Sequence, residues 1–155
     1  MQLRRVYMVL LFLGAMTAHQ FSEAERRFPT HTEAQIKLIA DGLCQQLSLQ
    51  QDIQVSIIPH NDLMVSVEHV RVPNSYVLSF DRQFLNSLSN EELTAAVAHE
   101  LGHIWIFSHR PYLQTEALTN EIAMRAVTRQ SLTKLYSKLW SHLGTDGNLA
   151  EFLGN

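Results

Sequence analysis

Apolar residues recur every three or four positions between residues 30 and 49, a spacing typical of a helix with one buried face. The apolar residues on that face are Ile36, Ala40, Leu43 and Leu47. Thr30 and Glu33 fit a capping box, in which a threonine hydroxyl accepts backbone hydrogen bonds and the glutamate reaches back to the cap. The pattern therefore predicts an amphipathic helix that begins near residue 30 and ends near residue 49.

The hydrophobic period then changes from helical spacing to alternation. Apolar and polar residues alternate in residues 53–57 and again in 63–67, and a third short strand pattern occupies residues 76–80. Turn-forming residues separate these runs at 59–62 and 72–75. Because the connections are too short for parallel crossovers, we expect a small antiparallel or mixed sheet of about three strands.

A proline-free helical pattern extends from Glu91 to about Phe107. Residues 89–92, Ser-Asn-Glu-Glu, form a second capping box at its start. The buried side of this helix is supplied by Leu93, Ala96, Val97, Leu101 and Ile104. A glycine inside a helix costs about 1 kcal/mol relative to alanine, so Gly102 indicates that another backbone comes close at this point.

Two further helices complete the predicted elements. A short one is capped by Asp81 and ends at Leu88, and a long one runs from about residue 113 to 143, where Gly144 terminates it. Together the elements predict an α+β fold, in which the small sheet packs on the helix of residues 91–107 and on the long C-terminal helix.

Composition supports a single globular domain. The chain has 155 residues, 46% of them hydrophobic, which is enough for one ordinary core. We place the domain at residues 30–144, after a polar tether at 19–29 and before a tail at 145–155. Cys44, the only cysteine, excludes an internal disulfide, and its place on an apolar helix face predicts core packing. The net charge of −3, without a basic cluster, argues against a nucleic-acid partner.

The first 18 residues have the plan of a signal peptide. Arg4 and Arg5 give a basic start, residues 6–13 are apolar, and small residues lead to Ala18. The apolar run is short for a membrane span of about 20 residues, so we expect cleavage after Ala18 and no stable span in the mature protein. An uncleaved inner-membrane anchor is the alternative, because Met16 is not the small residue usual before such a site. The expected location is the periplasm or outside the cell.

Candidate chemistry lies in the sequence His99-Glu100-Leu101-Gly102-His103. Residues four apart share a helix face, so the two imidazoles can bind one Zn²⁺. Glu100 lies beside them, placed to take a proton from a water that the metal activates. The same pattern also occurs by chance in helices with two surface histidines and an acid. The motif alone therefore does not identify a metal site, and a third ligand is needed.

Two acids on the last predicted helix could supply that ligand. Glu116 and Glu121 are five residues apart and point about 140° away from each other, so both cannot face one ion. Asn120 and Ala123 follow Glu116 on its own face, where the amide could hydrogen-bond a ligand histidine and the small residue allows close packing. Glu121 would instead bring Arg125 toward a cationic metal. We therefore predict Glu116 as the third ligand.

The segments 79–88 and 90–104 resemble the gluzincin metallopeptidases, and most closely the CaaX-protease and heat-shock-protease relatives with their soluble periplasmic members. Those proteins have a third-ligand helix that begins Glu-x-x-x-Asp, which residues 116–120 match with Asn in place of Asp. The Glu-x-x-x-Asn form is similar to intracellular metallopeptidases that cleave repressors. Residues 120–121 also resemble the Asn-Glu pair that thermolysin-like enzymes have at a similar spacing, and this resemblance would make Glu121 the third ligand instead. The spacer at residues 104–115 is shorter than in most relatives.

The expected function is an exported zinc metalloendopeptidase reduced to a minimal catalytic domain. One zinc ion per chain is held by His99, His103 and Glu116, and Glu100 is the general base. A protein or peptide substrate is expected to add as an extended strand to an exposed sheet edge, taken to be residues 76–80. Four residues are candidates to stabilise the oxyanion, and the sequence does not choose among them: His109, Arg110, Tyr112 and Tyr136.

Two other hypotheses compete with this one. The first is a zinc-binding but catalytically idle domain that binds partner or misfolded proteins as a chaperone would. A domain of that kind does not need Glu100, and this chain has it. The second is a cytosolic protease of regulators, which the signal-like N-terminus contradicts.

Overall fold

The protein is described by a computed structural model covering residues 31–154; the predicted signal peptide and tether lie outside the described residues. In chain order, the elements within that range are α1 (Glu33–Gln46), β1 (Asp52–Ile58), β2 (Val65–His69), β3 (Ser75–Asp81), α2 (Arg82–Ser87), α3 (Asn90–His109), a short 3-10 helix (Pro111–Leu113), α4 (Glu116–Ala123), α5 (Arg129–Leu143) and α6 (Leu149–Leu153). None of these helices combines the length and apolar character needed to cross a membrane.

The three strands form one mixed sheet in the order β1-β3-β2. β1 pairs with β3 in parallel, with Ile53 opposite Tyr76, and β2 pairs with β3 antiparallel, with Val67 opposite Leu78. The α+β fold with a small mixed sheet is confirmed. β3 is central rather than an edge, so the expectation that residues 76–80 are open to a substrate strand is wrong. The chain reaches β3 from β1 by way of β2, which makes the parallel pair possible without a helical crossover.

α3 is the central helix of the fold and contacts α1, α4, α5 and β2. Its apolar residues are buried on most faces, as expected of a helix surrounded by other elements. The residues predicted for its buried side are all at most 3% exposed, which confirms that prediction: Leu93, Ala96, Val97, Leu101 and Ile104. The capping box at Ser89 and Glu92 is also present, with the Ser89 N–H donating to Glu92 Oε2 at 2.7 Å.

The start of α1 differs from the prediction. Thr32 is the cap, and Gln35 completes the box, with the Thr32 N–H donating to Gln35 Oε1 at 3.0 Å. Glu33 is drawn away to the sheet, where its carboxylate accepts the N–H of Ile57 at 3.0 Å. Cys44 is free and buried, and burial, with the charge of Asp41, raises the pKa of its thiol to about 11. The prediction that it packs in the core is confirmed.

The predicted long C-terminal helix is divided into α4 and α5, so that prediction is wrong. Thr128 caps α5 by accepting the N–H of Ser131 at 3.1 Å, while turn hydrogen bonds close the segment after Ala123. A threonine cap placed inside an apolar helical pattern starts a new helix because its hydroxyl satisfies N–H groups that otherwise have no partner. The tail folds as α6, whose Leu153 is buried.

The close approach predicted at Gly102 is confirmed between α3 and α4. A Cβ at this position would lie 2.5 Å from the Thr119 carbonyl oxygen and 3.0 Å from Thr119 Cγ2. The glycine thus allows α4, which carries Glu116, to pack against α3 one turn from His99.

Gly102→Ala is expected to destabilise the protein. The overpacking cost, typically about 1–3 kcal/mol, exceeds the gain in helix propensity of about 1 kcal/mol, because the clashing atom belongs to backbone and cannot rotate away. Gly42→Ala in α1 is the matched control, since nothing lies within 4 Å of its added Cβ, and it should stabilise the protein. Urea unfolding of both metal-free variants measures the difference. Equal stabilisation by the two substitutions would contradict the close packing of α3 on α4.

Candidate active site

Three potential metal ligands meet where α3 and α4 cross. His99 and His103 project from α3 with their Nε2 atoms 3.2 Å apart and their rings nearly perpendicular, at 88°. From α4, Glu116 places Oε2 at 3.3 Å from His99 Nε2 and Oε1 at 3.6 Å from His103 Nε2. Within residues 31–154, this is the group of histidine, cysteine and acidic side chains that could hold a metal ion.

The separations of these donor atoms fit a zinc ion. Zinc binds imidazole nitrogen and carboxylate oxygen at about 2.0–2.2 Å with tetrahedral geometry, which separates neighbouring donors by about 3.3–3.5 Å. The observed separations of 3.2 Å between the two nitrogens, and of 3.3 and 3.6 Å from each nitrogen to the nearer oxygen of Glu116, lie around that value. Two imidazoles and one carboxylate are also a donor set that catalytic zinc sites use, with one position left open.

The second nitrogen of His99 is held by α4. His99 Nδ1 lies 2.9 Å from the side-chain oxygen of Asn120, which is fully buried. An amide oxygen only accepts, so Nδ1 carries a proton. When the ring is neutral, its lone pair is therefore on Nε2, the nitrogen that faces Glu116 and His103. This is the hydrogen bond that the sequence predicts for Asn120, and it orients the ring as a partner of a metal ligand would.

His103 is held in the same way by two residues that the sequence analysis missed. Its Nδ1 lies 3.1 Å from Thr119 Oγ1 and 3.3 Å from Gln114 Oε1. The Thr119 hydroxyl donates to the Thr115 carbonyl at 2.9 Å, which leaves its oxygen free to accept from His103. Thr119 follows Glu116 by three residues, so helical spacing could have indicated it. Gln114 lies between helices, where no periodicity marks it.

Glu100 is buried and lines the cleft beside the two histidines. Burial raises the pKa of its carboxyl to about 7; the charge of His99 opposes this rise and the charge of Glu116 adds to it. A carboxyl group with a pKa near neutrality can both accept and return a proton under ordinary conditions, which is what general acid–base chemistry requires.

The pKa values of the other groups in the cluster are shifted by one another in the metal-free protein. Burial alone would lower the pKa of His99, but the hydrogen bond to Glu116 and the charges of Glu100 and Glu116 raise it overall. The hydrogen bond with His99 in turn lowers the pKa of Glu116. Burial and the charge of His99 lower the pKa of His103. The carboxylate of Glu116 is therefore ionised, and a metal ion competes with a proton for His99.

The cluster lies in a cleft of about 740 Å³. One wall is formed by β2 and by Leu63 in the turn before it. The opposite wall is formed by α5, and the floor by α3. The side chains of the α5 wall are mostly apolar: Leu135, Tyr136, Leu139, Trp140 and Leu143.

Of the four candidates for the oxyanion donor, the structure brings Tyr136 to the cluster. Its hydroxyl lies 3.4 Å from Glu116 Oε2 and accepts a hydrogen bond from the Asn120 amide nitrogen at 2.8 Å. Burial and the charge of Glu116 raise the pKa of Tyr136, although the hydrogen bond from Asn120 opposes the rise. The hydroxyl therefore keeps its proton and can donate it.

The remaining predicted residues lie elsewhere. His109 stacks on Trp105 with ring centroids 4.2 Å apart, Arg110 is exposed, and Tyr112 is 97% exposed; none of the three candidates lines the cleft. Glu121 is exposed on α4, outside the metal-ligand cluster.

Comparison with solved structures gives two similar folds. The metallopeptidase zymogen abylysin of Pyrococcus abyssi is 14% identical with a TM-score of 0.52, covering 73% of this chain and 99% of that one. The metallopeptidase zymogen jannalysin of Methanocaldococcus jannaschii is 18% identical with a TM-score of 0.50, covering 70% and 96%. No family model and no curated protein matches the sequence. The likeness supports a metallopeptidase-like fold, while membership of the CaaX-protease and heat-shock-protease group stays a prediction.

Proposed function

We propose that the protein is a zinc metalloendopeptidase. One observation carries this proposal: the imidazoles of His99 and His103 and the carboxylate of Glu116 come together at separations close to those of zinc ligands, with buried Glu100 beside them in an open cleft. The metallopeptidase folds to which the chain is similar support it.

In this proposal, His99, His103 and Glu116 hold one zinc ion per chain. When bound, the ion supplies a Lewis acid that polarises a peptide carbonyl and acidifies a water molecule. Glu100 takes the proton of the attacking water and then delivers it to the leaving amine.

Tyr136 is the proposed donor to the oxyanion. The Asn120 amide donates to the Tyr136 oxygen, so the phenolic proton is directed away from Asn120, toward Glu116 Oε2 at 3.4 Å on the cleft side. A preorganised donor of this kind stabilises charge on the carbonyl oxygen in the transition state.

β2 is the proposed binding edge for the substrate, in place of residues 76–80. Among the described strands it pairs with β3 alone, and Val65, Ser66, Val67 and His69 line the cleft. An extended peptide can add to such an edge through backbone hydrogen bonds. The apolar wall of α5 opposite favours large apolar side chains in the substrate.

Export is part of the same proposal, inferred from residues 1–18 alone. A periplasmic or secreted enzyme would act on proteins or peptides in that compartment, without a nucleic-acid partner.

Elemental analysis and a digestion assay test the proposal. The purified protein is expected to contain one zinc ion per chain and to digest casein in a chelator-sensitive way. His103→Ala should lose both properties, because it leaves only two protein ligands. A folded protein well below one zinc per chain after metal-replete purification would contradict the metal site. Stoichiometric zinc without cleavage of casein or of a mixed peptide library would favour the idle binding domain instead.

A further inference from the structure

The C-terminal helix α6 reaches the metal-ligand cluster through Asn120. The amide nitrogen of Asn120 donates to the Phe152 carbonyl at 2.9 Å and to the Tyr136 hydroxyl at 2.8 Å. The amide oxygen lies 2.9 Å from His99 Nδ1. Asn120 is fully buried, and every hydrogen-bonding atom of its side chain has a partner.

These contacts determine which end of the Asn120 amide faces His99. The two ends of an amide have the same shape, so by itself Asn120 could turn either its oxygen or its nitrogen toward His99. A backbone carbonyl only accepts hydrogen bonds, so the Phe152 carbonyl requires the nitrogen end. The oxygen end must then face His99. When that imidazole is neutral, this places its proton on Nδ1 and its lone pair on Nε2, toward the metal-ligand cluster.

We propose that the Phe152 carbonyl of α6 fixes the tautomer of His99 through Asn120, which makes α6 a positioning part of the metal site. This inference rests on the proposed function for the role of His99 as a metal ligand. It gives α6 a role in positioning His99 that no side-chain motif in the sequence indicates.

The position of this carbonyl is itself secured. At the first turn of α5, Arg129 donates from Nη1 to the Leu153 carbonyl at 2.7 Å and from Nη2 to the Gly154 carbonyl. Such charge-assisted bonds satisfy carbonyl groups at a helix end that have no partner within the helix. The Phe152 ring packs against Tyr136 and Trp140, with centroids 5.1 and 5.7 Å away.

The same geometry explains why residue 120 is Asn where the resemblance implies Asp. A carboxylate would accept from His99 Nδ1 without help, but its second oxygen would face the Phe152 carbonyl oxygen at the present 2.9 Å. Two acceptors at that distance repel each other. In this chain an amide is required because a carbonyl occupies the opposite side.

Zinc affinity of full-length variants, measured by competition with a chelator, tests the coupling. Asn120→Asp is expected to weaken zinc binding by up to roughly 10–100-fold, the usual effect of losing an outer partner of a ligand, because repulsion from the Phe152 carbonyl pushes the new carboxylate away from its place beside His99. Arg129→Met should weaken it less, because α6 is loosened rather than removed. The double variant should lose less zinc affinity than the product of the two separate fold-losses. Once α6 is loosened, the Phe152 carbonyl no longer repels the new carboxylate. Lys134→Met is the matched control: it removes another α5 cation, which pairs with Glu91, and should leave zinc affinity unchanged.

Nitrogen NMR of the metal-free protein gives a readout that is independent of metal binding. At a pH where the spectrum shows the His99 ring to be neutral, the ring of the wild type should carry its proton on Nδ1, and Asn120→Ala should shift it toward the other tautomer. His99→Gln identifies the resonance by its loss. An Nε2–H tautomer in the wild type would overturn the inference, as would unchanged zinc affinity in both Asn120→Asp and Arg129→Met. A wild type with the Nδ1–H tautomer that binds no zinc would overturn the proposed function and leave the tautomer control standing.

Discussion

Glu100→Gln is expected to slow peptide cleavage by about 10²–10⁴-fold, the usual effect of losing a general base. Glutamine keeps the size of the side chain but cannot accept the proton of water. Zinc binding should persist, because Glu100 is not among the three clustered donor residues. The fold should persist too, because a neutral amide does not carry the cost of burying a charge, which is what raises the pKa of Glu100.

Steady-state kinetics on a fluorogenic peptide, with zinc content measured on the same samples, separates chemistry from metal loss. Glu121→Gln applies the same chemical change to an exposed acid of α4 and should retain full activity. A Glu100→Gln enzyme with undiminished kcat would refute the proposed mechanism.

Glu116→Ala is expected to weaken zinc binding by more than about 100-fold, beyond the 10–100-fold that losing an outer hydrogen-bonding partner causes. Its carboxylate provides two of the three short separations in the cluster. The substitution also removes the charge that raises the pKa of His99, which reduces competition from protons. The comparison therefore belongs at a pH where both histidines are neutral, so that only the lost ligand is measured.

Glu121→Ala is the matched variant for that experiment. It removes the same side chain from the same helix, five residues on, and should bind zinc as the wild type does. A large loss in this variant and none in Glu116→Ala would show that the third ligand is assigned to the wrong glutamate.

Local patterns predicted the parts of the site that depend on local geometry. Two histidines four residues apart on a capped, proline-free helix must share a face, and the structure places the Nε2 atoms of His99 and His103 3.2 Å apart. The glycine inside that helix, Gly102, predicted a neighbouring backbone, and the structure places the backbone of Thr119 there. These predictions needed only the helical period and the conformational cost of glycine.

Topology was harder because strand order depends on contacts between distant residues. The pattern of residues 76–80 resembles that of any half-buried strand, and its central place follows from pairing with both β1 and β2. The break before α5 was missed because apolar spacing continues across it, whereas a single hydroxyl, that of Thr128, starts the new helix.

The role of Phe152 could not be predicted from side-chain patterns at all. Its contribution is a backbone carbonyl, which every residue has, and it acts on a residue 32 positions earlier. Gln114 presents a similar case, since its contacts with His103 arise only once the segment between α3 and α4 has folded back.

The contact between Asn120 and Phe152 has a consequence for the order of events during synthesis. The ribosome makes a protein from its N-terminus, so the residues of α6 emerge after those of α3 and α4. Both histidines and Glu116 are therefore made before the carbonyl that orients Asn120 exists. A chain that has been made only as far as Glu116 therefore lacks the contact that would fix the His99 tautomer, and under the proposed function tight zinc binding would wait until α6 has been made and has packed.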